Sequence, residues 1–324
     1  MDTTSHNFTW QIDTLGDGGG SVLYDVAIIN DTLAYAVGEI WKKDSNGNWI
    51  NPPYNIAKWN GQQWELMRRL YDCRLYFPNC GPNYYLYTPI RSIFAFGPND
   101  IWMAAGTAQH WDGVRWTEHA GILGVGDANK IWGVSSNNLY FVGNNGFIAH
   151  YDGASWRRIE SGTTLPIMDV YGTRKDQSGD YEVLAVAEAY ATPGGNKILS
   201  ISDANVRELS TPELLSWDVW GIWFVPDRWY TVVGDGVWRA HIPEGHWTFD
   251  ESLPRLFSTS IDGQGLNDIV VGGAFWLLAH WNGIHWRTYF PRTSGSFTSV
   301  ALKGNTVIAV GGSGNRAIVA RGTR

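Results

Sequence analysis

Four histidines occupy equivalent places along the chain, and such a set could bind a metal or transfer protons. They are His110, His150, His241 and His280, with Lys58 and Arg321 at the corresponding places of two further segments. Because they recur once per sequence repeat, they would stand too far apart to share one metal at bond lengths of about 2 Å. We therefore expect them to hydrogen-bond between strands or to a neighbouring repeat, and we predict no metal site.

Carboxylates are the other candidates for acid–base chemistry. Separate acidic residues occur at Glu39, Asp100, Asp169, Asp218 and Asp268, and the sequence does not pair them. The chain contains no Gly-x-Ser-x-Gly elbow, His-Glu-x-x-His pair or Walker loop. We therefore predict no catalytic residue and no cofactor. An active site formed by carboxylates that are distant in sequence is an open alternative that no motif supports.

The segment Asp44–Asn48 offers three oxygen ligands at alternate positions, as calcium loops do. Its glycine is misplaced, and Asn55 stands where the twelfth position of such a loop needs an acidic residue. A hairpin turn is the preferred interpretation of this segment.

The only two cysteines, Cys73 and Cys80, lie close together in a loop-like stretch. They could close a small disulfide loop in an oxidising compartment, or they could be two ordinary thiols. Metal binding is disfavoured because no histidine or further cysteine lies nearby to complete a ligand set.

A sequence repeat must position these side chains. Its clearest copy comprises Ile131–Val134, Asn137–Gly143, Gly146–Gly153 and a strand that starts at Trp156. Each run is short, roughly alternating, rich in β-branched and aromatic residues, and bounded by Asn-rich or Asp-Gly turns, which is typical of β-strands. Four antiparallel strands in about forty residues form one blade of a β-propeller.

Seven copies of the repeat predict an all-β, seven-bladed β-propeller that forms one domain over residues 1–324. The blades are predicted at about 22–67, 90–118, 131–160, 167–210, 217–250, 256–290 and 297–321. The last copy lacks its fourth strand, whereas the N-terminal segment 8–13 is similar to the fourth strands of other copies. We therefore predict that this segment pairs as the outer strand of blade seven and closes the ring, which removes an unpaired edge.

The Asp-Gly-x-x-Trp hairpins and the Ile-Trp-Gly strand resemble those of a family of bacterial β-propeller regions. The resemblance covers nearly the whole chain and is closest at Tyr24–Asn30 and Val142–His150. These regions occur in large exported proteins, often of Bacteroidetes-like bacteria, sometimes beside fibronectin-type-III and sorting domains. The resemblance implies an excreted or surface-attached module with no settled activity. Blade four departs from the pattern, since it lacks the Asp-Gly turn and the following tryptophan.

Composition excludes several function classes. A net charge of −7 and a pI near 5.6 leave no basic footprint for a nucleic acid. No apolar run approaches the roughly 18 residues of a membrane span, and an apolar content of 44% is too high for disorder. Because the opening Met1–Thr4 shows no cationic and apolar signal segment, we expect that any export signal has been removed from an extracellular or cell-surface protein.

Tryptophan accounts for 19 of the 324 residues, several times the usual share of about one to two per cent. Nine of them recur at two fixed positions of the repeat. The fourth-strand set is Trp10, Trp64, Trp116, Trp156, Trp247 and Trp286, and the third-strand set is Trp59, Trp111, Tyr151 and Trp281. We expect these side chains to pack between blades, where each contributes about 2–3 kcal/mol; one ligand pocket per blade is the alternative.

Large departures from the repeat fall in loops that a propeller places on one face. The insertion 39–55 interrupts blade one, the segment 68–89 links blades one and two, and 188–196 extends blade four. Their aromatic residues are the candidate ligand- or partner-binding residues: Trp41, Trp49, Tyr54, Tyr71, Tyr76, Phe77, Tyr84, Tyr85, Tyr87 and Tyr190. Loops on a rigid scaffold often carry binding residues, and Tyr and Trp stack on sugars or anchor protein partners. The alternative is a self-packed cap that stabilises the insertions.

These features predict a non-catalytic binding or adhesion module of an exported bacterial protein, which recognises a glycan or a protein through the aromatic face near blade one. An assembly subunit that docks a permanent protein partner is the alternative. A hydrolase or lyase that acts from the central channel is less favoured. We expect neither nucleic-acid binding nor membrane insertion, and neighbouring domains of a larger protein are compatible with the resemblance.

Overall fold

Seven four-stranded antiparallel sheets surround a central channel, so the chain is the all-β, seven-bladed β-propeller that its repeat predicts. The computed structural model describes residues 3–75, 77, 79–119, 128–175, 179–190, 195–202, 205–211, 218–290 and 294–324. Within these ranges no helix has the length and apolar character needed to cross a membrane.

The strands run from the channel outward in each blade, and the first strand of the chain is the exception. That strand, β1 (Thr9–Leu15), belongs to blade seven. Blade one contains β2 (Gly18–Asn30), β3 (Leu33–Trp41), β4 (Tyr54–Trp59) and β5 (Trp64–Met67). A two-stranded hairpin, β6 (Tyr71–Asp72) and β7 (Tyr85–Leu86), then encloses a short 3-10 turn, Cys73–Leu75.

The remaining blades repeat the same order. Blade two contains β8 (Ser92–Gly97), β9 (Asp100–Ala105), β10 (Thr107–Trp111) and β11 (Trp116–His119), and blade three contains β12 (Ala128–Ser135), β13 (Asn138–Gly143), β14 (Phe147–Tyr151) and β15 (Trp156–Arg158). Blade four contains β16 (Ile167–Arg174), β17 (Tyr181–Ala187), β18 (Lys197–Ser202) and β19 (Asn205–Leu209), and blade five contains β20 (Val219–Val225), β21 (Trp229–Gly234), β22 (Gly236–Ala240) and β23 (Thr248–Phe249). Blade six contains β24 (Ser258–Gly265), β25 (Asp268–Gly273), β26 (Leu278–Trp281) and β27 (Trp286–Tyr289), and blade seven contains β28 (Ser296–Lys303), β29 (Thr306–Ser313) and β30 (Arg316–Thr323) together with β1.

Asx-Gly turns join the third and fourth strands in four blades. In each turn the side-chain Oδ1 accepts hydrogen bonds from the backbone N–H groups two and three residues later, at 2.7–3.0 Å. The four turn residues are Asn60, Asp112, Asp152 and Asn282. The following glycines have φ between +91° and +95°, a conformation that a side chain strongly disfavours. Hairpin geometry therefore accounts for these residues without a ligand.

The repeated aromatics pack within and between blades. Across each of these hairpins the rings of the third and fourth strands meet with centroids 4.9–5.6 Å apart, as Trp59 and Trp64 do in blade one. Trp156 also meets Trp102 of the preceding blade at 6.0 Å. Blade five lacks the Asx-Gly turn. There the fourth strand, β23, begins at Thr248, so Trp247 lies just before it. The Trp247 side chain is buried, and its indole N–H donates to the Pro243 carbonyl.

Ring closure depends on the pairing of β1 with β30. The ladder runs from Thr9 opposite Thr323 to Leu15 opposite Ala317, so the predicted closing strand is confirmed at Thr9–Leu15. Trp10 lies over Gly322, where an added Cβ would come within 2.6 Å of the indole ring. The same ring contacts Tyr289 and Phe290 of blade six at centroid distances of 4.9 and 5.2 Å. One aromatic side chain therefore attaches the closing strand to two blades.

A cluster of imidazoles holds the segment before β1 against blade six. His6 Nδ1 lies 2.8 Å from His280 Nδ1, and the His6 ring contacts the His285 ring at 4.7 Å. Burial, together with the neighbouring His280 and His285, lowers the pKa of His6 to about 4. The folded protein thus holds this imidazole neutral at pH values where the unfolded chain protonates it.

Replacing Trp10 tests the contribution of ring closure. We expect Trp10→Ala to lower the free energy of unfolding by about 2–3 kcal/mol, because the indole is partly buried between β30 and blade six. Ile12→Ala is the matched control, since Ile12 lies on the same strand and is 46% exposed; its loss should be about 1 kcal/mol or less. Equal losses for the two variants in denaturant titrations would contradict this role of Trp10.

Acid should weaken the attachment of the N-terminal segment. Between pH 6.5 and about 4 the unfolded state binds a proton at His6 that the folded state does not, so this residue makes stability fall as the pH falls. As the pH falls from 6.5 to about 4, we expect wild type to lose unfolding free energy relative to His6→Gln. Below pH 4 the difference between the two proteins should stay constant. Denaturant titrations at half-unit pH steps measure it, and a difference that does not change with pH would refute the assignment.

Candidate functional site

The long loops of blades one, two and four lie at the end of the propeller where each innermost strand begins. We call this end the loop-bearing face, and it carries residues 42–53, the β6–β7 hairpin and Tyr190. Asp44 accepts hydrogen bonds from the backbone N–H groups of Asn46 and Asn48 at 2.8 and 2.9 Å. The acidic segment of this face is therefore a hairpin turn, with Lys43 and Trp49 paired across it.

Two insertion tryptophans differ in accessibility. Trp41 packs on Gly19, where an added Cβ would lie 2.9 Å from the tryptophan side chain. The Trp41 and Trp49 rings meet edge to face at 6.2 Å, and Lys43 Nζ lies 4.8 Å from the centre of a Trp49 ring. Trp49 is 44% exposed. Trp41 therefore supports the insertion, whereas Trp49 presents an accessible ring.

Three of the candidate tyrosines are packed into the loop structure. Tyr54 packs against the core of blade one and carries the Arg68 guanidinium 4.6 Å from its ring centre. Tyr71 is half-buried against Gly106. Burial and the nearby Glu39 carboxylate raise the pKa of Tyr87. For Tyr54, Tyr71 and Tyr87 the structure thus shows packing within the loops.

The β6–β7 hairpin carries three exposed aromatic side chains of this face. Phe77, Tyr84 and Tyr85 are 61%, 62% and 54% exposed. Cys73 and Cys80 are joined by a disulfide with a Cα–Cα distance of 6.1 Å. The Cys73 N–H also donates to the Tyr84 carbonyl at 3.1 Å, and the Phe77 N–H to the Cys73 carbonyl at 2.9 Å. Tyr76 lies outside the described residues.

Partly buried polar contacts anchor this hairpin to blade two. Arg69 Nη2 pairs with Glu118 Oε1 at 2.7 Å, and the second oxygen of that carboxylate accepts the Asp72 N–H at 3.1 Å. The buried amide of Asn55 bonds to the backbone of Arg69 and to the Thr88 carbonyl. The exposed aromatics thus lie on a loop that is cross-linked and anchored at its base.

Tyr190 belongs to another part of the face. It is 57% exposed, has φ of +35°, and lines the mouth of the central channel. Its backbone N–H donates at 2.8 Å to Glu188, a buried carboxylate that also accepts the Val219 N–H. Burial raises the pKa of Glu188 to about 7, and the adjacent Asp218 adds to the effect. The structure therefore does not bring Tyr190 together with the blade-one aromatics in one cluster.

The channel contains a cavity of about 760 Å³ lined by the innermost strands. The innermost strands share one equivalent register position. In blade order it is occupied by Asp25, Ser92, Lys130, Asp169, Gly221, Ser260 and Ser299. Five of these residues line the cavity, namely Asp25, Lys130, Asp169, Ser260 and Ser299. Asp262, two residues beyond Ser260, also lines the cavity. The channel interior is therefore polar and charged.

Asp25 is almost fully buried and accepts hydrogen bonds from several neighbouring strands. Its carboxylate accepts Lys130 Nζ at 2.7 Å, the hydroxyls of Ser92 and Ser299 at 2.7 and 2.8 Å, and the Ile93 N–H at 3.1 Å. These partners belong to blades two, three and seven. A single carboxylate thus links blade one to both of its neighbours and neutralises Lys130.

Asp169 and Asp262 have a different environment. Asp169 accepts the N–H groups of Val170 and Ile222 at 2.9 and 3.0 Å, and Asp262 accepts those of Gly263 and Leu302, both at 2.8 Å. Among the described residues no cationic side chain bonds to either carboxylate. Burial raises the pKa of Asp169 to about 7 and the pKa of Asp262 to about 6.

The repeated histidines make local contacts. His110, His150 and His280 bond to Asp100, Asn138 and Asp268 at 2.8–2.9 Å, each across the second and third strands of its own blade. His241 contacts the Arg228 carbonyl at 3.2 Å. In the part of the chain that the structure describes, no three His, Cys, Asp or Glu side chains are grouped for a metal ion.

Sequence reasoning missed three channel residues, namely Asp25, Lys130 and Asp262. A usable signal was present for Asp25, the one charged residue of β2, which lies in an apolar run, whereas β12 and β24 contain several polar residues and do not single out Lys130 or Asp262. Among the separate acidic residues singled out from the sequence, Asp169 alone lies in the channel, whereas Asp100 and Asp268 pair with histidines.

Comparison with known proteins supports the fold alone. No protein-family profile and no curated protein matches the chain. A structure of YCF48 bound to a D1 peptide superposes with a TM-score of 0.67 at 15% identity, over 100% of this chain and 99% of that chain. The WD40 propeller domain of Doa1 gives 0.63 at 13% identity, over 97% of each chain. YCF48 from Cyanidioschyzon merolae gives 0.59 at 13% identity, over 96% of this chain and 98% of that chain.

The channel network predicts an unequal response to two Asp→Asn changes. Asp25→Asn should cost about 3 kcal/mol of unfolding free energy or more, because it leaves Lys130 without its counterion. Asp112→Asn should change stability by no more than about 0.5 kcal/mol, since asparagine already fills that hairpin position in blades one and six. Denaturant titration measures both values, and a near-neutral Asp25→Asn would overturn the linking role of Asp25.

Proposed function

We propose that this propeller is a protein-binding module that engages a peptide segment of its partner through the loop-bearing face. The observation that carries the proposal is the β6–β7 hairpin, which holds Phe77, Tyr84 and Tyr85 more than half exposed on a cross-linked loop. Large aromatic side chains in a fixed arrangement lose little conformational entropy on binding, and such residues are enriched among binding hot spots.

The anchoring of the hairpin supports this function. The Arg69–Glu118 ion pair and the Asn55 amide hold its base, so the exposed rings need little ordering when a partner binds. Trp49 extends the accessible aromatic surface on the blade-one insertion. The YCF48 structure with a bound D1 peptide shows that another propeller of similar shape holds a peptide.

The proposal includes an extracellular or cell-surface location in an exported bacterial protein. Disulfides persist in oxidising compartments, and the Cys73–Cys80 bridge lies in the hairpin that carries the exposed rings. Because the disulfide lies within the proposed binding surface, that surface would keep its cross-link only in an oxidising compartment.

Selection from a displayed random-peptide library tests the function directly. Peptides enriched on the oxidised chain are synthesised, and their affinities are measured by calorimetry for wild type and for Tyr84→Ser/Tyr85→Ser. We expect the double variant to bind at least tenfold more weakly, because truncation of an aromatic anchor costs about 1–2 kcal/mol or more.

The matched control is Val114→Ser/Ile284→Ser, which alters two exposed apolar side chains in third-to-fourth-strand turns at the opposite face. Its affinity should stay within twofold of wild type. Peptide binding that survives the tyrosine changes would refute the loop-bearing face as the binding surface. Failure to enrich any peptide, together with specific signals on a glycan array, would replace the protein partner with a carbohydrate.

A further inference from the structure

The central channel contains more negative than positive charge in its interior. Asp25 and Lys130 pair at 2.7 Å and neutralise each other. Asp169 and Asp262 are each held by two backbone N–H groups, and Lys130 acts on both only at a distance, since its ammonium group is bonded to Asp25. Two further cations line the cavity. Arg91 is exposed and stacks 4.2 Å from the Tyr24 ring centre, and Lys303 is exposed on the innermost strand of blade seven.

Aromatic side chains share the cavity with these carboxylates. The cavity lining includes Tyr24, Phe94, Trp132, Tyr171, Tyr190 and Trp220. Trp220 lies on β20, which packs between β16, the strand of Asp169, and β24, the strand of Asp262. Tyr190 is exposed at the mouth of the same cavity. An aromatic face beside a carboxylate is the environment that attracts ammonium and guanidinium groups.

The arrangement suits an organic cation better than a metal ion. Calcium takes six to eight oxygen ligands at 2.3–2.6 Å, and magnesium requires near-octahedral geometry. The described residues contain no group of three or more potential metal ligands. Asp169 and Asp262 line the cavity from blades four and six, which are separated by blade five. A cavity of about 760 Å³ has room for a linear amine or for the end of a lysine or arginine side chain.

We propose that the channel binds an organic cation that carries an ammonium or guanidinium group, with Asp169 and Asp262 as its counterions and Trp220 and Tyr190 at its entrance. The ligand is either a free amine or a basic side chain of a protein. This inference does not rest on the exposed rings of the β6–β7 hairpin and stands or fails separately from them.

The titration behaviour of the two carboxylates supports the site. Burial raises the pKa of Asp169 to about 7 and the pKa of Asp262 to about 6, which means that ionising either group is costly in the unliganded channel. A bound cation would offset that cost, because an opposite charge at close range favours the ionised carboxylate. Ligand binding and carboxylate ionisation are therefore coupled in this cavity.

Calorimetry with defined probes tests the site. The probes are agmatine, its neutral counterpart 1,4-butanediol, and the blocked peptides Gly-Gly-Lys-Gly-Gly and Gly-Gly-Gln-Gly-Gly. We expect the wild type to bind agmatine, the lysine peptide or both, and to show no heat with the two neutral probes. Binding of agmatine indicates a free amine as ligand, and binding of the lysine peptide alone indicates a protein side chain; either result supports the proposal.

Asp169→Asn/Asp262→Asn should bind the cationic probes at least tenfold more weakly than wild type. Without ligand this variant should lose stability, because each asparagine keeps only one of the two oxygens that accept backbone N–H groups and turns an amide NH₂ toward the other. Affinity is therefore measured under conditions where the variant is folded, and loss of probe binding by the folded variant separates a binding role from a structural one. Asp112→Asn/Asp152→Asn is the matched control, with the same charge change in hairpin turns outside the channel, and it should bind like wild type. Tyr84→Ser/Tyr85→Ser should also retain probe binding.

Two results would overturn the proposal. One is the absence of heat with both cationic probes on the wild type. The other is undiminished binding by Asp169→Asn/Asp262→Asn under conditions where its denaturant transition shows that variant to be folded. If the channel variant unfolds instead, Asp169→Glu supplies the second measurement. It keeps the charge but moves the carboxylate, and it should change agmatine affinity at least threefold, whereas unchanged affinity counts against the site.

Discussion

The whole propeller depends on side chains that hydrogen-bond across the gaps between innermost strands. These strands belong to separate sheets, so no backbone ladder joins them. Asp25 joins blades seven, one and two, and Ser92 accepts the Ile131 N–H to join blades two and three. Asp169 accepts the Ile222 N–H between blades four and five, and Ser260 accepts the Val300 N–H between blades six and seven. The same inward-facing register that closes the ring also determines the chemistry of the channel.

Most of the side chains that bridge the blades also line the channel, and this double position explains why the channel carries buried charge. The bridging residues Asp25, Ser92, Asp169 and Ser260 are polar and short, and their hydrogen bonds keep them in place whether or not a ligand occupies the channel. Where the bridge is a serine, no charge is left over. Where it is Asp169, the backbone N–H partners satisfy the oxygens but leave the charge. The cost of that charge is a property of the scaffold, and a cationic ligand would reduce it.

Much of the fold could be predicted from the sequence because its signals repeat. The Asx-Gly turns and the paired aromatics recur in several blades, and each has a local cause in hairpin geometry or cross-strand packing. The channel residues could not be found in this way, since the bridging position changes type from blade to blade. Nor could the sequence separate Tyr54, which packs against the core, from Tyr84, which is exposed, because that difference arises from contacts between loops distant in sequence. The state of Cys73 and Cys80 likewise depended on the folded geometry of the hairpin.

The closing ladder also determines how the molecule responds to tension. Thr9 and Thr323 are opposite each other at one end of the β1–β30 pair, while Leu15 and Ala317 lie at the other end. A force applied between residues 9 and 323 would therefore pull the two strands apart from one end, breaking the hydrogen bonds one after another instead of all together. The ring would thus open at low mechanical load along the β1–β30 ladder. If the force were applied instead between residue 9 and a site on another blade, it would not act only on the first hydrogen bonds of the β1–β30 ladder.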